Sequence, residues 1–254
     1  MTVKLSKKQR RALRKAGTLD PKHTVPQRGM NLRNINPKTA AQSQTFDAYD
    51  AGNHLLLHGT AGTGKTFIST YLALRDIFEG THEEDEREYD KIVFIRSVVP
   101  TRDIGFLPGS EDQKIQVYEQ PYKDICNDIF GRDDAYGILK HKGLVDFMCT
   151  SFVRGLTIDR AIVIVDEMQN MSGHELSSVI TRLGEDCRVM FCGDFSQSDL
   201  TKQREKEGLH KFMQVIDRID GFEHVEFTRH DIVRSKLVKD FIIAQDDLGI
   251  SLCA

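Results

Sequence analysis

The residues best suited to chemistry lie in one short segment, GTAGTGKT, at positions 59–66. It has the spacing G-x-x-x-x-G-K-T, directly after the apolar run HLLLH and directly before a stretch with helical periodicity. Such a loop points its backbone amides and a helix N-terminus at the phosphates of a nucleotide. Lys65 would contact the β- and γ-phosphates, and the Thr66 hydroxyl would bind Mg²⁺. We therefore predict a nucleotide site formed by Gly59, Thr60, Ala61, Gly62, Thr63, Gly64, Lys65 and Thr66.

Two adjacent carboxylates, Asp166 and Glu167, follow a second apolar run at positions 161–165. This run lacks polar alternation, which is typical of a strand buried on both faces in a parallel sheet. Beside a phosphate-binding loop, Asp166 would hold Mg²⁺, and Glu167 would act as general base on an attacking water. The pair favours hydrolysis of a nucleoside triphosphate over phosphoryl transfer to a small molecule, because such transfer requires that water be excluded.

A third polar group follows the apolar run at positions 188–192, in the segment GDFSQSD. Ligands of open α/β sheets bind at the carboxyl ends of the strands, so this turn should lie beside the other two motifs. Gln197 would then contact the attacking water or the γ-phosphate. Ordinary turn chemistry is the alternative, since Gly, Asp and Ser are common loop residues.

The elements that must position these motifs alternate along the chain. Strands are predicted at 54–58, 91–95, 145–148, 161–165, 188–192 and 224–227. Helices are predicted at 38–50, 66–78, 112–130, 174–183, 208–219 and 237–246. Alternation of this kind gives right-handed βαβ units and an open, mostly parallel sheet covered by helices. The predicted fold class is therefore α/β, in three layers, as a single domain.

The charge distribution separates the N-terminus from the rest of the chain. Residues 1–33 hold ten Lys and Arg and a single acid, Asp20, whereas the remaining residues are net acidic. We predict a basic, flexible arm at residues 1–35, followed by the compact domain at 36–254. A basic arm is the electrostatic footprint of nucleic-acid binding. The alternative is a solubilising tail.

Composition excludes several other classes. The purely apolar runs reach about five residues, as at positions 161–165, so no membrane span is predicted. The five cysteines are scattered and contain no C-x-x-C, which argues against a zinc site and favours free thiols in a reducing cytoplasm. No secretory signal is predicted, because no apolar stretch follows the charged N-terminus.

Longer blocks around these motifs resemble the PhoH family of P-loop ATPases, which is related to the cores of superfamily 1 helicases. The resemblance covers residues 36–248, and the length is similar to that of the compact forms carried by bacteriophages. It implies a RecA- or helicase-like P-loop fold. The matching blocks are IRSVVPTRDIGFLPGSEDQK, SFVRGLTIDRAIVIVDEMQN, ITRLG, GDFSQSDL and DIVRSKLV.

The resemblance implies ATP and Mg²⁺ as cofactors, and it adds two residues to the site. Gln42 falls where related ATPases hold a glutamine that reads adenine, with Gln44 as a rival position. Arg234, in the last block, would neutralise γ-phosphate charge in the transition state, in cis or from a neighbouring subunit. A structural ion pair between Arg234 and Asp231 is the alternative.

The leading hypothesis is an ATP-hydrolysing enzyme coupled to RNA or single-stranded nucleic acid. Superfamily 1 helicases place the nucleotide between two P-loop cores, and this chain has one. We therefore expect a homo-oligomer, a ring or hexamer, to complete the site. The alternative hypothesis is a nucleotide-dependent switch module, whose slow hydrolysis times an interaction with a protein partner.

Overall fold

The computed structural model describes residues 30–79, 88–97, 111–195 and 203–248. Within these ranges the chain alternates between strands and helices. The strands are β1 (His54–Gly59), β2 (Lys91–Arg96), β3 (Val145–Cys149), β4 (Ala161–Asp166), β5 (Arg188–Gly193) and β6 (Phe222–Phe227). The helices are α1 (Ala40–Asp50), α2 (Lys65–Glu79), α3 (Glu111–Phe130), α4 (Ala135–His141), α5 (Thr150–Val153), α6 (Gly173–Ile180), α7 (Gln203–Ile216) and α8 (Lys236–Leu248).

The six strands form one sheet in the order β3-β2-β4-β5-β1-β6, and every neighbouring pair is parallel. This confirms the predicted α/β fold with a parallel sheet. Because β5 lies between β1 and β4, the turn after β5 emerges between the phosphate-binding loop and the Asp166–Glu167 pair. The three predicted motifs therefore meet at one edge of the sheet.

Both faces of the sheet are buried, which confirms the three-layer arrangement. Leu55 and Leu57 of β1 face a core that includes residues of α1, α2, α3 and α4. Leu56 faces a second core with α6 and α7. Burying a leucine side chain contributes about 1.5–3 kcal/mol. Strands buried on both sides therefore favour continuous apolar runs, as β4 has over residues 161–165 before it ends at Asp166.

The structure departs from the predicted elements where tertiary packing outweighs local sequence signals. The sequence did not predict α4, whose seven residues include Gly137 and whose Asp134 gives no side-chain cap. Its Tyr136 and Leu139 are nevertheless buried in the core. Helix α7 runs through Gly208, where we predicted a start, because this glycine packs closely against Gly173 of α6.

The junction with the predicted arm lies against α3. Arg33 donates its backbone N–H to the Ile129 carbonyl (3.1 Å), and its guanidinium donates to the Asp128 carbonyl (2.8 Å). Met30 is buried. The domain boundary at residue 36 stays a prediction. Residues 1–29 of the arm and Gln197 lie outside the described residues.

Over the described ranges, no helix is both long and apolar enough to span a bilayer.

Gly59→Ala should lower the free energy of unfolding more than Gly221→Ala does. Both glycines have positive φ, +113° and +89°, so a side chain at either position incurs a left-handed backbone penalty of about 1–2 kcal/mol. Only at Gly59 would the added Cβ lie 2.0 Å from the Phe227 carbonyl oxygen; at Gly221 no described atom lies within 4 Å. Urea denaturation of both variants makes the comparison, and equal losses would contradict the predicted clash.

Candidate functional site

The phosphate-binding loop connects β1 to α2 at the carboxyl edge of the sheet. It is tied to β6, since the Thr60 N–H donates to the Phe227 carbonyl (2.8 Å). The Lys65 ammonium donates to the carbonyl oxygens of Gly59 (2.7 Å) and Thr60 (2.9 Å). Burial lowers the pKa of Lys65, and the negative charge of Asp194 opposes this shift. The loop therefore holds its lysine inside the cleft and among acidic groups.

The two predicted Mg²⁺ ligands face each other across the sheet edge. Thr66 Oγ1, at the start of α2, donates to Asp166 Oδ1 at 2.8 Å. Both are hard oxygen donors, and Mg²⁺ in nucleotide sites is held by one or two such groups together with phosphates and waters. The pair therefore fits the ion. Over the described ranges, no group of three or more His, Cys, Asp or Glu residues could hold a metal on its own.

A buried tyrosine of α3 also contacts Asp166. The Tyr122 hydroxyl of α3 donates to Asp166 Oδ2 at 3.0 Å. Burial and the nearby Asp166 charge raise the pKa of Tyr122 well above its ordinary value, so the phenol stays protonated and donates. Tyr122 has the helical spacing of its apolar neighbours Tyr118 and Ile125, and nothing in the sequence distinguishes it from a packing residue.

Glu167 lines the cleft and has an unusual backbone conformation. Its φ of +52° is left-handed, which is uncommon for a residue other than glycine. Burial, and then the neighbouring Asp166, raise the pKa of Glu167, while Arg96 and Lys65 act in the opposite direction. A half-buried carboxylate with a raised pKa is suited to accept a proton from water.

Gln169, which was not among the predicted site residues, connects the ends of β4 and β5. Its amide nitrogen donates to the Glu167 carboxylate, and its amide oxygen accepts the backbone N–H of Asp194 (3.0 Å). The side chain is buried. It therefore fixes the orientation of Glu167 relative to the turn after β5. The sequence signal for this role was the pattern D-E-x-Q, in which Gln169 follows Glu167 by two residues.

The turn after β5 is described as far as Phe195. Gly193 and Asp194 line the same cleft as Lys65 and Asp166, which is the neighbourhood expected from the strand order. Asp194 is buried. The role of Gln197 in contacting water or phosphate stays a prediction.

Gln42 lies beside the phosphate-binding loop. Its amide nitrogen donates to the Thr63 carbonyl (2.9 Å), and its amide oxygen accepts the Lys38 N–H (2.8 Å). Gln42 is buried at the cleft, whereas the rival Gln44 is exposed. Of the two glutamines, only Gln42 lines the cleft.

The segment before α8 packs onto the phosphate-binding loop and brings Arg234 with it. The Val233 N–H donates to the Gly62 carbonyl at 3.1 Å, and a Cβ on Gly62 would lie 3.0 Å from Arg234 Cγ. Asp231 forms no ion pair with Arg234, because its carboxylate accepts hydrogen bonds from Thr228 and the Ala41 N–H. Arg234 is exposed on the wall of the cleft.

These groups surround one cleft of about 790 Å³, within the range of small-molecule sites. The lining holds both signs of charge, for example Lys65 and Asp166, and it also includes the apolar side chains of Ile35, Phe67 and Ile125. A lining of this mixed character suits a small ligand that carries both charged and apolar groups.

Known proteins share extended sequence similarity with this chain. The family model described as PhoH-like protein matches residues 34–246. A PhoH-like protein of Bacillus subtilis (strain 168) is 32% identical over 215 residues, which are 84% of this chain and 65% of that protein. Protein PhoH of Escherichia coli (strain K12) is 30% identical over 205 residues, 80% of this chain and 56% of that protein. The chain thus spans about three fifths of the length of these relatives.

Among solved structures, the large terminase from a thermophilic bacteriophage, in complex with ADP, aligns over 82% of this chain and 50% of that chain. The TM-score is 0.49 and the sequence identity is 13%. Because the family model covers most of the chain, from the segment before α1 to α8, the chain belongs to the PhoH family.

Proposed function

We propose that this chain binds ATP with Mg²⁺, hydrolyses it to ADP and phosphate, and couples hydrolysis to RNA or single-stranded nucleic acid. One observation carries the hydrolytic part. Lys65 and Thr66 after β1, and Asp166 and Glu167 after β4, line a single cleft. A cation, a hydroxyl, a metal-binding carboxylate and a second carboxylate form the set that phosphoryl transfer to water requires.

The mixed lining of the cleft supports binding of both phosphates and a base. Backbone amides of the loop and the Lys65 ammonium would bind the phosphates. Adenine would lie beside Gln42. A carboxamide has two N–H donors and two acceptor lone pairs. Gln42 can therefore keep its contacts with Thr63 and Lys38 and still read the adenine edge.

In the proposed reaction, Glu167 is the general base. Glu167 accepts a proton from water as the water oxygen attacks the γ-phosphorus. The bond from the γ-phosphorus to its bridging oxygen then breaks, and ADP leaves with that oxygen. Mg²⁺ bound by Thr66 and Asp166 would neutralise charge on the β- and γ-phosphates. Gln169 holds Glu167 in place, and Gln197 would contact the water.

Arg234 completes the charge neutralisation in this proposal. It lies beside Gly62 of its own chain, next to the loop that would hold the phosphates. This position supports action in cis. A ring or hexamer remains part of the proposal, because a single P-loop core leaves one side of the nucleotide to be covered by a second subunit.

The nucleic-acid part rests on charge. The basic arm begins with seven Lys and Arg within residues 1–16 and no acid. Such a segment binds polyanions by neutralising phosphates and releasing counterions.

Glu167→Gln should lower ATP turnover by about 10²–10⁴-fold, because a general base is lost, while ATP binding with Mg²⁺ is retained. Phosphate release is measured with and without single-stranded RNA and DNA, with Lys65→Ala as the blank. Glu223→Gln, at the amino end of β6, is the matched control and should behave as wild type. Unchanged turnover in Glu167→Gln would favour the switch-module hypothesis.

Deleting residues 1–16 should weaken binding of single-stranded RNA and flatten its salt dependence. Each neutralised phosphate contributes roughly 0.7 to the logarithmic salt slope on single strands. A full-length variant with Lys7, Lys8, Arg10 and Arg11 changed to Gln separates charge from length. If affinity and slope match wild type in both variants, the arm does not bind nucleic acid.

Sedimentation velocity tests the assembly. We expect a species larger than one chain when a non-hydrolysable ATP analogue, Mg²⁺ and single-stranded RNA are present. A strict monomer under every combination of these components would contradict the ring or hexamer.

A further inference from the structure

The carboxylate of Asp166 is held from two sides by hydroxyl groups of different origin. Thr66, at the start of α2, donates to Oδ1 at 2.8 Å. Tyr122, in the middle of α3, donates to Oδ2 at 3.0 Å. The two donors fix the plane of the carboxylate at the end of β4. Only one of them, Thr66, belongs to the predicted set of metal ligands.

The phenol is placed with little freedom. Tyr122 is fully buried, and its ring stacks on Phe94 of β2 with centroids 4.4 Å apart. Phe147 of β3 contacts it from another direction, at 5.6 Å between centroids. The hydroxyl therefore reaches Asp166 from a ring that packing has already ordered, so little side-chain entropy is lost in making the bond.

The two hydroxyl groups would behave differently when a cation is bound. The Thr66 oxygen would itself face the ion, so its hydrogen bond to Asp166 is not an independent support in that state. The Tyr122 hydroxyl is on the other carboxylate oxygen and can keep its bond. A neutral phenol also holds the carboxylate without cancelling its charge, which an arginine or lysine in the same place would do.

The helix that carries Tyr122 also borders the remainder of the cleft. Pro121, Asp124, Ile125 and Asp128 of α3 line it. The same helix thus forms part of the cleft wall and also contacts the predicted metal-binding carboxylate.

We propose that Tyr122 is a positioning residue for the Mg²⁺ site: its hydroxyl holds Asp166 Oδ2 so that the other carboxylate oxygen is ready for the cation. This inference rests on the proposed function and specifies how its metal site is held. Hydrogen-bonding partners that orient metal ligands typically contribute about 10–100-fold to metal affinity.

The test compares ADP affinity in saturating Mg²⁺ with ADP affinity in EDTA, using a fluorescent ADP analogue. The dissociation constant in EDTA divided by the dissociation constant in Mg²⁺ measures how strongly Mg²⁺ favours nucleotide binding. Tyr122→Phe should lower this ratio by at least about tenfold and leave the affinity in EDTA within about twofold of wild type. Phenylalanine keeps the stacking on Phe94, so only the hydroxyl is removed.

Tyr49→Phe is the matched control. Tyr49 is equally buried, and its hydroxyl donates to another carboxylate, Asp76, at 2.7 Å. The Tyr49→Phe variant should leave the ratio of dissociation constants unchanged, whatever its effect on melting temperature. A double variant with Asp166→Asn should show no loss of the ratio beyond that of Asp166→Asn alone, because Tyr122 acts through Asp166.

The inference would be overturned by a Tyr122→Phe ratio equal to wild type, or by a wild-type ADP affinity that does not change with Mg²⁺. A fall in both affinities together would also overturn it, since that would indicate general damage to the cleft. The measurement uses ADP alone. Absence of ATP hydrolysis in the wild type would therefore refute the proposed reaction and leave this test intact.

Discussion

The parallel pairing of β4 with β5, and of β5 with β1, is the constraint on which the site depends. It brings the ends of three strands to one edge and sets the distance between the phosphate-binding loop and the Asp166–Glu167 pair. The Thr66–Asp166 hydrogen bond connects the start of α2, which follows β1, to the end of β4 on the other side of β5. Because the strands are buried on both faces, a one-residue slip of a strand would exchange the side chains that face its two cores. The geometry of the cleft is thus protected by the packing of the whole sheet.

Much of this could be predicted from the sequence because local and global signals agree. The predicted phosphate-binding loop needs glycine at particular backbone angles, and a strand buried on both faces, such as β4, needs a continuous apolar run. Both requirements leave a visible pattern. The roles of Tyr122 and Gln169 could not be predicted in the same way. Tyr122 reaches Asp166 across the fold, and its helical spacing is that of any core residue.

The same limit applies to the two residues taken from family resemblance. The sequence placed Gln42 and Gln44 on one helix, and only tertiary packing shows that Gln42 alone lies against the loop. Arg234 and Asp231 were possible ion-pair partners by proximity in the sequence. The capping interactions of Asp231 with Thr228, and its contact with α1, decide against that pair. Short-range charge patterns do not reveal such competition for hydrogen bonds.

The left-handed backbone of Glu167 has a consequence for how this site tolerates change. A non-glycine residue in that region costs about 1–2 kcal/mol, and its carboxylate is also partly desolvated beside Asp166. Replacement by glycine would relieve both costs and remove the proposed base. Stability and turnover therefore pull in opposite directions at this position. Selection for thermal stability alone would therefore favour variants that lack the proposed base. Stabilising substitutions in this fold should leave residue 167 unchanged and be placed on surfaces distant from the cleft.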